Sequence, residues 1–441
     1  MTDVSTLKSL ACQQIESKKA ELFDIATAVL DNPEIGFKEH TTSSLVRSYF
    51  AKMDIPYKNN LAVTGIKGKL SGLHPGPNIG VLGELDSLVV SEHPNSNSIT
   101  HAAHACGHNC QIGMMIGVLF GLNHSEILRN LHGSISPFAV PAEEFIDIPE
   151  RLKMKEAGLI EFLGGKQELI KLGEFDDIDI AFMCHTASGS GPHEFALGGS
   201  STGHISKYVQ FQTSRSTEYN TALSSAVFSM NAIQYNRELF KNDDVVRTHG
   251  IISDTQINEN QQTNAIGLEW RLRGANLSSI EENSKIIDRC FRAGALAMGS
   301  KLNITTVPGY LPMSNDGELQ NIFSNNATQL LGQGKVLNIS NAVNSGGSTD
   351  MGDLSYLLPT CHPYCTGATG TGHSKNYLIT NYDTAIVNPA KIMCMVIIDL
   401  LANNSALAKR VINKFSPKMS KKEYISFQRG RFNHYSSNVE N

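Results

Sequence analysis

The sequence predicts an α/β protein in which a mostly parallel sheet carries helices on both faces. Three apolar segments are predicted to be strands, at residues 78–86, 133–140 and 178–184. Each strand leads to ionisable side chains, namely Glu84 and Asp86, Glu143 and Glu144, and His185. Because α/β folds bind ligands at the carboxyl ends of their strands, we expect one polar site at this edge of the sheet.

Helices alternate with these strands. Apolar residues recur at helical spacing at Leu22, Ile25 and Val29, and further helices are predicted at residues 41–50, 111–122 and 388–401. Within the last helix, the apolar run 392–398 is interrupted by Asp399, so it is expected to be a core helix and not a membrane span.

A second unit is predicted at residues 199–309. Its strands fall at 206–212, 246–253, 264–273 and 301–307, and its helices at 221–240 and 279–298. This βαββαβ order describes a compact, ferredoxin-like unit. The helix at 221–240 carries an apolar stripe of Leu223, Val227, Met230 and Ile233. We interpret the unit as a domain inserted into a catalytic domain made of residues 1–198 and 310–405.

Composition limits the classes of function. A chain of 441 residues has room for two or three domains, and its net charge of −5 gives no reason to expect nucleic acid or a membrane as partner. The first thirty residues lack the apolar run of an export signal, and eight cysteines are scattered without regular spacing. Both features favour reduced thiols in the cytoplasm. The basic tail at 406–441 is expected to be a solvated, partly ordered appendage.

The stretch from His101 to Cys110 places three histidines and two cysteines within ten residues. Cys106 and His108 can turn toward one point about Gly107. A thiolate and an imidazole together suit zinc, manganese, cobalt, nickel or iron better than calcium or magnesium. The alternative reading is a buried cysteine among surface histidines, since free cysteine often behaves as a small apolar residue.

These landmarks, in this order, resemble the M20 family of metallopeptidases and amidohydrolases. The resemblance is strongest to the branch of indole-acetyl-amino-acid, aminobenzoyl-glutamate and N-acyl-amino-acid hydrolases. The segments that carry it are Pro33-Glu-Ile-Gly-Phe37, Glu84-Leu-Asp86, His104-Ala-Cys-Gly-His108, Pro141-Ala-Glu-Glu144, His185 and Gly372-His373-Ser374. They cover almost the whole chain, so the resemblance implies a metallo-exopeptidase-like catalytic domain with an inserted lid.

The resemblance also implies roles for individual residues. The implied metal ligands are Cys106, His108, Glu144, His185 and His373. Glu143 would be the general base, and Asp86 would orient a ligating imidazole. Five protein ligands exceed one tetrahedral site with an open position, so two divalent metals per chain are expected, as manganese, zinc, cobalt or nickel.

Amide hydrolysis accounts for this set of residues. A metal polarises the carbonyl and lowers the pKa of bound water toward ~7. A carboxylate beside it takes the proton from the water and passes it to the departing amine. Adjacent side chains at a strand end diverge, so one of Glu143 and Glu144 can bind metal while the other faces the water. If the pair stood alone, a solvated surface turn would be the better reading.

Some positions depart from the family pattern. Members often have Asp where Asn109 stands, and Asp or His where Glu84 stands. The segment 211–221 is short and lacks the histidine that reaches across the dimer to steady the oxyanion. Arg215 could supply a positive donor instead, and His204 is more often structural at such a strand start. Losing an oxyanion donor can cost ~10²–10³ in rate.

Other polar residues carry less specific predictions. Asn264 and Arg273 lie in the inserted unit, where the family binds the substrate's carboxylate. Asp350 and Asp353 either contact substrate or stabilise a glycine-rich turn, and Lys375 meets either a substrate carboxylate or solvent. His104 and Cys110 are expected to pack near the metal ligands without binding metal.

The predicted function is divalent-metal-dependent hydrolysis of an N-acyl or N-aroyl amino acid, or of a small dipeptide-like amide. The alternative is a degenerate relative that binds a small ligand without turnover, suggested by Asn109 and the missing histidine. The family resemblance further implies a homodimer formed through the inserted lid.

Overall fold

The computed structural model describes residues 2–189, 191–213, 221–241, 244–257 and 263–437. The helices in these ranges are α1 (Val4–Ser17), α2 (Lys19–Leu30), α3 (His40–Lys52), α4 (His108–Leu122), α5 (Ser125–Arg129), α6 (Ile148–Glu156), α7 (Gly165–Leu172), α8 (Thr221–Tyr235), α9 (Leu277–Met298), α10 (Gly317–Leu331), α11 (Met351–Ser355), α12 (Asn388–Leu401), α13 (Ala406–Lys414) and α14 (Lys421–Arg431). The strands are β1 (Tyr57–Leu61), β2 (Gly65–Gly68), β3 (Leu70–Ser71), β4 (His74–Glu84), β5 (Leu88–Val89), β6 (Ala102–Ala103), β7 (His132–Val140), β8 (Ile180–Phe182), β9 (His185–Ser188), β10 (Phe195–Ser200), β11 (Gly203–Thr213), β12 (Arg247–Ile257), β13 (Thr263–Gly274), β14 (Ser300–Pro308), β15 (Val336–Asn344), β16 (Thr360–Cys361), β17 (Tyr364–Thr369), β18 (Leu378–Ile379) and β19 (Asn433–Ser437).

The central sheet has the strand order β1-β2-β7-β4-β8-β16, with β3 also pairing with β7. The middle strand β4 runs parallel to β7 and β8, and β16 runs parallel to β8. Side chains alternate between two hydrophobic cores, so Ile135 of β7 packs among α1, α2, α4 and α12 whereas Phe138 packs on the side of α7 and α14. The α/β class predicted from the sequence is confirmed.

A second sheet, of order β15-β10-β17-β18 with β9 paired to β17, was not predicted. Its strand β9 runs parallel to β17 and begins at His185, which lies beside Tyr364 in the pairing. This small sheet therefore fixes the position of the third strand-end residue expected at the site.

Residues 203–308 form elements in the order β11-α8-β12-β13-α9-β14. Their strands make a separate antiparallel sheet of order β12-β13-β11-β14. The predicted stripe on α8 is partly wrong. Ile233 is buried, but the other buried residues are the small ones Ala222, Ser225, Ala226 and Ser229, and Val227 is 44% exposed. A Cβ added at Gly294 of α9 would lie 2.1 Å from Ser229 Oγ, so these two helices pack too closely for larger side chains.

The prediction that the basic tail is a solvated appendage is wrong. Residues 406–414 and 421–431 are helices α13 and α14, and β19 pairs antiparallel with β14, which extends the second unit's sheet. Tyr424 is fully buried and its hydroxyl donates to Asp353 Oδ1 at 2.7 Å. Arg431 contacts Glu281 of α9 at 2.8 Å. The tail therefore fastens the second unit to the central domain.

The segment Asp383–Leu401, which includes α12, is long and apolar enough to cross a membrane by length and composition. Most of it is buried inside the fold. This burial agrees with the expectation of a core helix for residues 392–398.

One buried ion cluster holds together the loops that follow the strand ends. Lys166, at the start of α7, lies 2.6 Å from Glu84 Oε1 and also forms a salt bridge with Asp350. All three side chains are at most 1% exposed. Burial would raise the pKa of Glu84, but the charges of Lys166 and His108 outweigh burial and lower it. Burial raises the pKa of Asp350 to about 7.

Replacing Lys166 with Met should leave the carboxylates of Glu84 and Asp350 buried without a cation. Removing one partner of a buried ion pair typically costs roughly 3–5 kcal/mol. The free energy of unfolding, measured in urea, should fall by that amount. Lys153→Met removes an exposed pair with Glu150, 3.2 Å away, and should cost only about 0–1 kcal/mol. Equal stability of the two variants would contradict this account.

Candidate metal centre

The predicted site residues meet at the carboxyl ends of the central strands. Strand β4 ends at Glu84, with Asp86 two residues further on, and β7 ends at Val140, shortly before Glu143 and Glu144. The loop before α4 brings Cys106 and His108 to the same place. Parallel pairing of β4 with both neighbours places these chain ends on one edge of the sheet.

A left-handed residue separates the two ligands of the histidine-rich stretch. Gly107 has φ 91° and precedes α4. A Cβ at this position would lie 2.9 Å from the Tyr377 hydroxyl and 3.1 Å from Thr186 Cβ. Glycine is therefore required both by the backbone conformation and by the space available. The turn directs Cys106 and His108 into the same site.

Two groups of three possible metal-ligand atoms share the sulfur of Cys106. The first group is Cys106, His108 and His185, and the second is Cys106, Glu144 and His373; within each, the ligand atoms lie within 4.8 Å of one another. The Cys106 Sγ atom is 3.3 Å from His185 Nε2 and 3.3 Å from His373 Nε2. His373 Nε2 is also 3.4 Å from Glu144 Oε1.

The ring orientations leave the nitrogens facing this centre available for a metal. His108 Nδ1 lies 2.8 Å from the backbone oxygen of Asp86, and His185 Nδ1 lies 2.7 Å from the backbone oxygen of Thr186. A carbonyl only accepts, so each Nδ1 carries a hydrogen and each Nε2 is the nitrogen left to face this centre. Asp86 Oδ2 also accepts from the backbone nitrogen of Glu144 at 2.8 Å.

Unsatisfied buried atoms support the same assignment. His108 Nε2 and Glu144 Oε1 are buried without a hydrogen-bond partner. A buried polar atom without a partner is costly, and a cation bound at each of these atoms would compensate it. Thiolate, imidazole and carboxylate are the donors that zinc and similar divalent metals bind. The side chains therefore fit a metal on both geometry and chemistry.

Burial controls the protonation of these groups. It lowers the pKa of His185 to about 4, with a contribution from His108, so the imidazole is neutral as ligation requires. Burial raises the pKa of the Cys106 thiol, so its thiolate form depends on a nearby cation. Burial, together with the charges of Glu84 and Glu144, raises the pKa of Glu143 well above its ordinary value.

The segment Pro33–Phe37 explains how the two glutamates are held. A Cβ at Gly36 would lie 2.4 Å from the Arg151 guanidinium and 2.8 Å from Ala142 Cα, so only glycine permits this approach. Arg151 donates to the backbone oxygens of Glu144 and Leu163, each at 2.7 Å. The landmark near the N-terminus therefore supports the backbone of the site from behind.

Glu84 has a larger part in the site than the sequence suggested. Its Oε2 atom lies 3.1 Å from His108 Nε2, without hydrogen-bond geometry, and accepts from Gln111 Nε2 at 2.9 Å. Glu84, His108 and Glu143 form a third group of neighbouring ligand atoms. Because Lys166 neutralises Glu84, the carboxylates of Glu143 and Glu144 are better placed to meet a metal or a substrate.

These groups open into a cavity of about 550 Å³. One wall carries Cys106, Glu143, Glu144, His185 and His373, and the facing wall carries Arg271 and Arg273 from β13. The remaining polar lining includes His204, Tyr310, His362 and Tyr364. No spacing pattern in the sequence indicated Arg271, Tyr310, His362 or Tyr364. Arg271 and Arg273 alternate with Leu272, and this alternation could have suggested that Arg271 lies on the same face as Arg273.

The weaker substrate predictions have mixed outcomes. Arg273 lines the cavity, whereas among the described residues Asn264 and Lys375 are not part of its lining. Lys375 is exposed and pairs with Glu92 at 2.8 Å. The prediction that Asp350 contacts substrate is wrong, because Asp350 is fully buried against Lys166.

Other predicted positions fall into three groups. Asp353 is buried and accepts from Tyr424, so it supports the tail. His104 and Cys110 are buried beside the ligands, and Asn109 Nδ2 donates to the backbone oxygen of Ala26 at 3.3 Å. Arg215 lies outside the described residues, as does most of the shortened segment around it.

Known proteins resemble this chain over part or most of its length. Residues 81–399 match the model of peptidase family M20/M25/M40. The mouse Xaa-Arg dipeptidase is 23% identical over 438 residues, covering 96% of this chain and 95% of that protein. The IAA-amino acid hydrolase ILR1-like 5 of Arabidopsis thaliana is 30% identical over 195 residues, covering 40% and 44% of the two chains.

Among solved structures, a Bacillus subtilis protein described as a dinuclear metal-binding peptidase of the M20 family shares the fold. It superposes with a TM-score of 0.64 at 16% sequence identity, and the match covers 88% of this chain and 99% of that chain. The family match spans well over half of the sequence. The family resemblance predicted from the sequence is confirmed, and this chain belongs to peptidase family M20/M25/M40, a family of hydrolases.

Proposed function

We propose that the protein hydrolyses the amide bond of an N-acyl or N-aroyl amino acid, or of a small dipeptide-like substrate, with two divalent metals per chain. The observation that carries the proposal is the sharing of Cys106 Sγ by two groups of ligand atoms. One metal would bind Cys106, His108 and His185, and the other Cys106, Glu144 and His373. The donor set suits manganese, zinc, cobalt or nickel, without selecting among them.

When bound, such metals polarise a carbonyl and lower the pKa of a bound water. Glu143 has the properties required of a general base. It lines the cavity beside the proposed ligands, and its raised pKa favours a carboxylate that can both accept and return a proton. The Tyr310 hydroxyl donates to the backbone oxygen of Glu143 and so holds this residue in place. Asp86 keeps the His108 ring oriented toward the metal.

The cavity supports a small substrate. Its volume of about 550 Å³ lies within the usual range for small-molecule sites. Arg273 faces the ligand cluster from the second unit and can bind the carboxylate of the amino acid. We propose that residues 199–309 act as a ferredoxin-like lid over the catalytic domain formed by 1–198 and 310–405. Eight free thiols favour a cytoplasmic location for the protein.

The test is hydrolysis of a panel of N-acyl and N-aroyl amino acids by protein loaded with manganese, zinc, cobalt or nickel. Turnover of at least one member, lost on chelation and restored by metal, is expected. Absence of turnover with every metal would contradict the proposal.

A binding protein without turnover is the second candidate, because segment 211–221 contains no histidine. Metal content separates the two candidates, since a two-metal hydrolase requires about two metals per chain. Protein that stays metal-free after incubation with each metal would favour the binding role.

The two glutamates should fail in different ways. Glu144→Ala should lose metal and activity together, because a ligand is removed. Glu143→Gln should keep the metal and still bind a product-like carboxylate. Its rate should fall by ~10²–10⁴-fold, the usual contribution of general acid–base catalysis, and toward the upper end because one residue serves both proton transfers. Metal analysis and kinetics on both variants provide the measurement.

The opposite pattern would reverse the assignment. If Glu143→Gln strips the metal while Glu144→Ala retains it, the ligand and the base must be exchanged. If neither substitution changes metal content or rate, the Pro141–Glu144 segment has no catalytic role.

We further propose that two copies associate through the lid. Close packing of α8 on α9 leaves Leu223, Val227 and Phe228 at 39–44% exposure on the outer side of α8. Phe228→Glu should therefore convert a dimer to a monomer, as measured by light scattering. Leu159→Glu, at a site on the catalytic domain that is 64% exposed, is the matched control and should leave the dimer intact. A monomeric parent protein would contradict the dimer.

A further inference from the structure

Strand pairing in the lid concentrates positive charge on the face that meets the metal centre. Along β13, Leu268, Trp270 and Leu272 are buried in the core of the lid, so Arg271 and Arg273 point to the other face. These two arginines line the cavity.

The neighbouring strand adds a third guanidinium. In the register of β12 and β13, Arg247 stands opposite Arg273, and His249 stands opposite Arg271. Directly paired residues share one face of a sheet. We call Arg247, Arg271 and Arg273 the arginine face. A Cβ at Gly346 would lie 2.9 Å from Arg247 Nη1, and Arg273 Nη1 lies 3.5 Å from the oxygen of Gly346. Both side chains therefore reach the loop that leads into the cavity wall.

Burial lowers the pKa of Arg273, and the charges of Glu143 and Glu144 oppose that shift without forming a close ion pair with it. Within the part of the chain that the structure describes, none of the three guanidinium groups of the arginine face forms a salt bridge, and Arg273 Nε is buried without a partner. Burial and the charge of Arg273 lower the pKa of Arg271 to about 10. Like charges placed opposite each other on a sheet, as Arg247 and Arg273 are, are destabilising, so an anionic ligand beside them would stabilise this arrangement.

Among the described residues, the acid nearest in the strand acts on Arg271 through its charge but forms no close ion pair with it. Glu269 lies two residues before Arg271 on the same face, and burial raises its pKa. Arg271 donates one N–H to the backbone oxygen of Phe145, and its guanidinium lies 5.8 Å from the centre of the Phe145 ring. Arg271 has several N–H groups in its planar fork, so further donors remain for a ligand in the cavity.

We propose that Arg271 is a specificity-determining residue that binds a second carboxylate of the substrate, so the amino acid released is dicarboxylic, of the aspartate or glutamate class. The inference rests on the proposed function, in which Arg273 binds the first carboxylate. One guanidinium pairs with one carboxylate through two parallel hydrogen bonds, so two arginines match two carboxylates. Residues two apart in a strand are separated by roughly 6.5–7 Å, a span that short dicarboxylic amino acids can bridge.

The charge of the face also defines what it excludes. A substrate with a basic side chain would bring a further positive charge next to Arg271 and Arg273. An amide in place of the second carboxylate would lose the charge-assisted bond while keeping the shape. Glutamine and arginine derivatives are therefore informative comparators.

The experiment measures kcat/KM of the metal-loaded, full-length protein for the N-acetyl and N-benzoyl derivatives of glutamate, glutamine, leucine and arginine. The glutamate derivative should exceed the glutamine derivative by roughly 10- to 100-fold, the factor for losing a hydrogen bond between charged groups. The arginine derivative should be the poorest. Equal kcat/KM for glutamate and glutamine derivatives would overturn the inference and leave the proposed function standing.

Two variants test whether the preference for glutamate over glutamine depends on Arg271. Arg271→Gln keeps a donor for the Phe145 oxygen but removes the charge, so the glutamate-to-glutamine ratio should fall toward one. Arg289→Gln makes the same charge change on the exposed side of α9 and should leave the ratio unaltered. Thermal unfolding should show Arg271→Gln at least as stable as the parent, because like-charge repulsion is relieved. A ratio unchanged by Arg271→Gln would overturn the assignment.

Binding gives a readout that does not depend on turnover. Calorimetry with free L-glutamate and L-glutamine should show tighter binding of glutamate to the parent protein and not to Arg271→Gln. If no derivative is hydrolysed but this difference holds, the proposed function fails and only the assignment of Arg271 as a carboxylate-binding residue stands. If glutamate and glutamine bind equally to the parent protein, the inference fails whatever the activity.

Discussion

The sulfur of Cys106 is the contact on which the site depends. It lies 3.3 Å from His185 Nε2 and 3.3 Å from His373 Nε2, and so joins a strand end, a turn before a helix and a distant loop. It belongs to both groups of possible ligand atoms, which together draw five side chains from four separate parts of the chain. Burial raises the pKa of this thiol, so the arrangement is electrostatically complete only with cations nearby.

The residues packed around the proposed ligands stabilise and orient the acidic groups of the site. Glu84, Asp86, Glu143 and Glu144 converge on one small volume, and the ammonium of Lys166 lies beneath the first of them. Asp86 serves two neighbours, because it orients His108 and accepts from the Glu144 backbone. Arg271 and Arg273 of β13 line the same cavity. The site is therefore polarised, with carboxylates at the strand ends of the central sheet and guanidinium groups on β13.

Much of this arrangement could be predicted from the sequence, because it follows local rules. Strand ends carry Glu84, Asp86, Glu143 and Glu144, and parallel strands bring such ends to one edge of a sheet. Gly107 between two ligand types indicated a turn. The family landmarks added His373, whose position in a loop has no periodic pattern. The α/β class and the family follow from the same features.

The remaining features depend on contacts between residues far apart in the chain. Lys166 is 82 residues from Glu84 and 184 from Asp350, so nothing in its neighbourhood suggests an ion cluster. The basic tail was wrongly predicted to be solvated because its ion-pair partners also lie far away in the sequence. Arg429, for example, pairs with Glu161. On α8 the apolar stripe was misleading, since close packing against Gly294 selects small side chains for the buried face. The grouping of Arg271 with Arg247 and Arg273 depends on the register of β12 and β13, which the sequence does not show.

The central claim is that one sulfur bridges two metals, and anomalous diffraction from crystals grown with manganese or zinc tests it most directly. The account predicts two anomalous peaks, both within bonding distance of Cys106 Sγ. One peak should lie beside His108 and His185, and the other beside Glu144 and His373. A single peak, or two peaks of which either lacks contact with Cys106, would contradict the account.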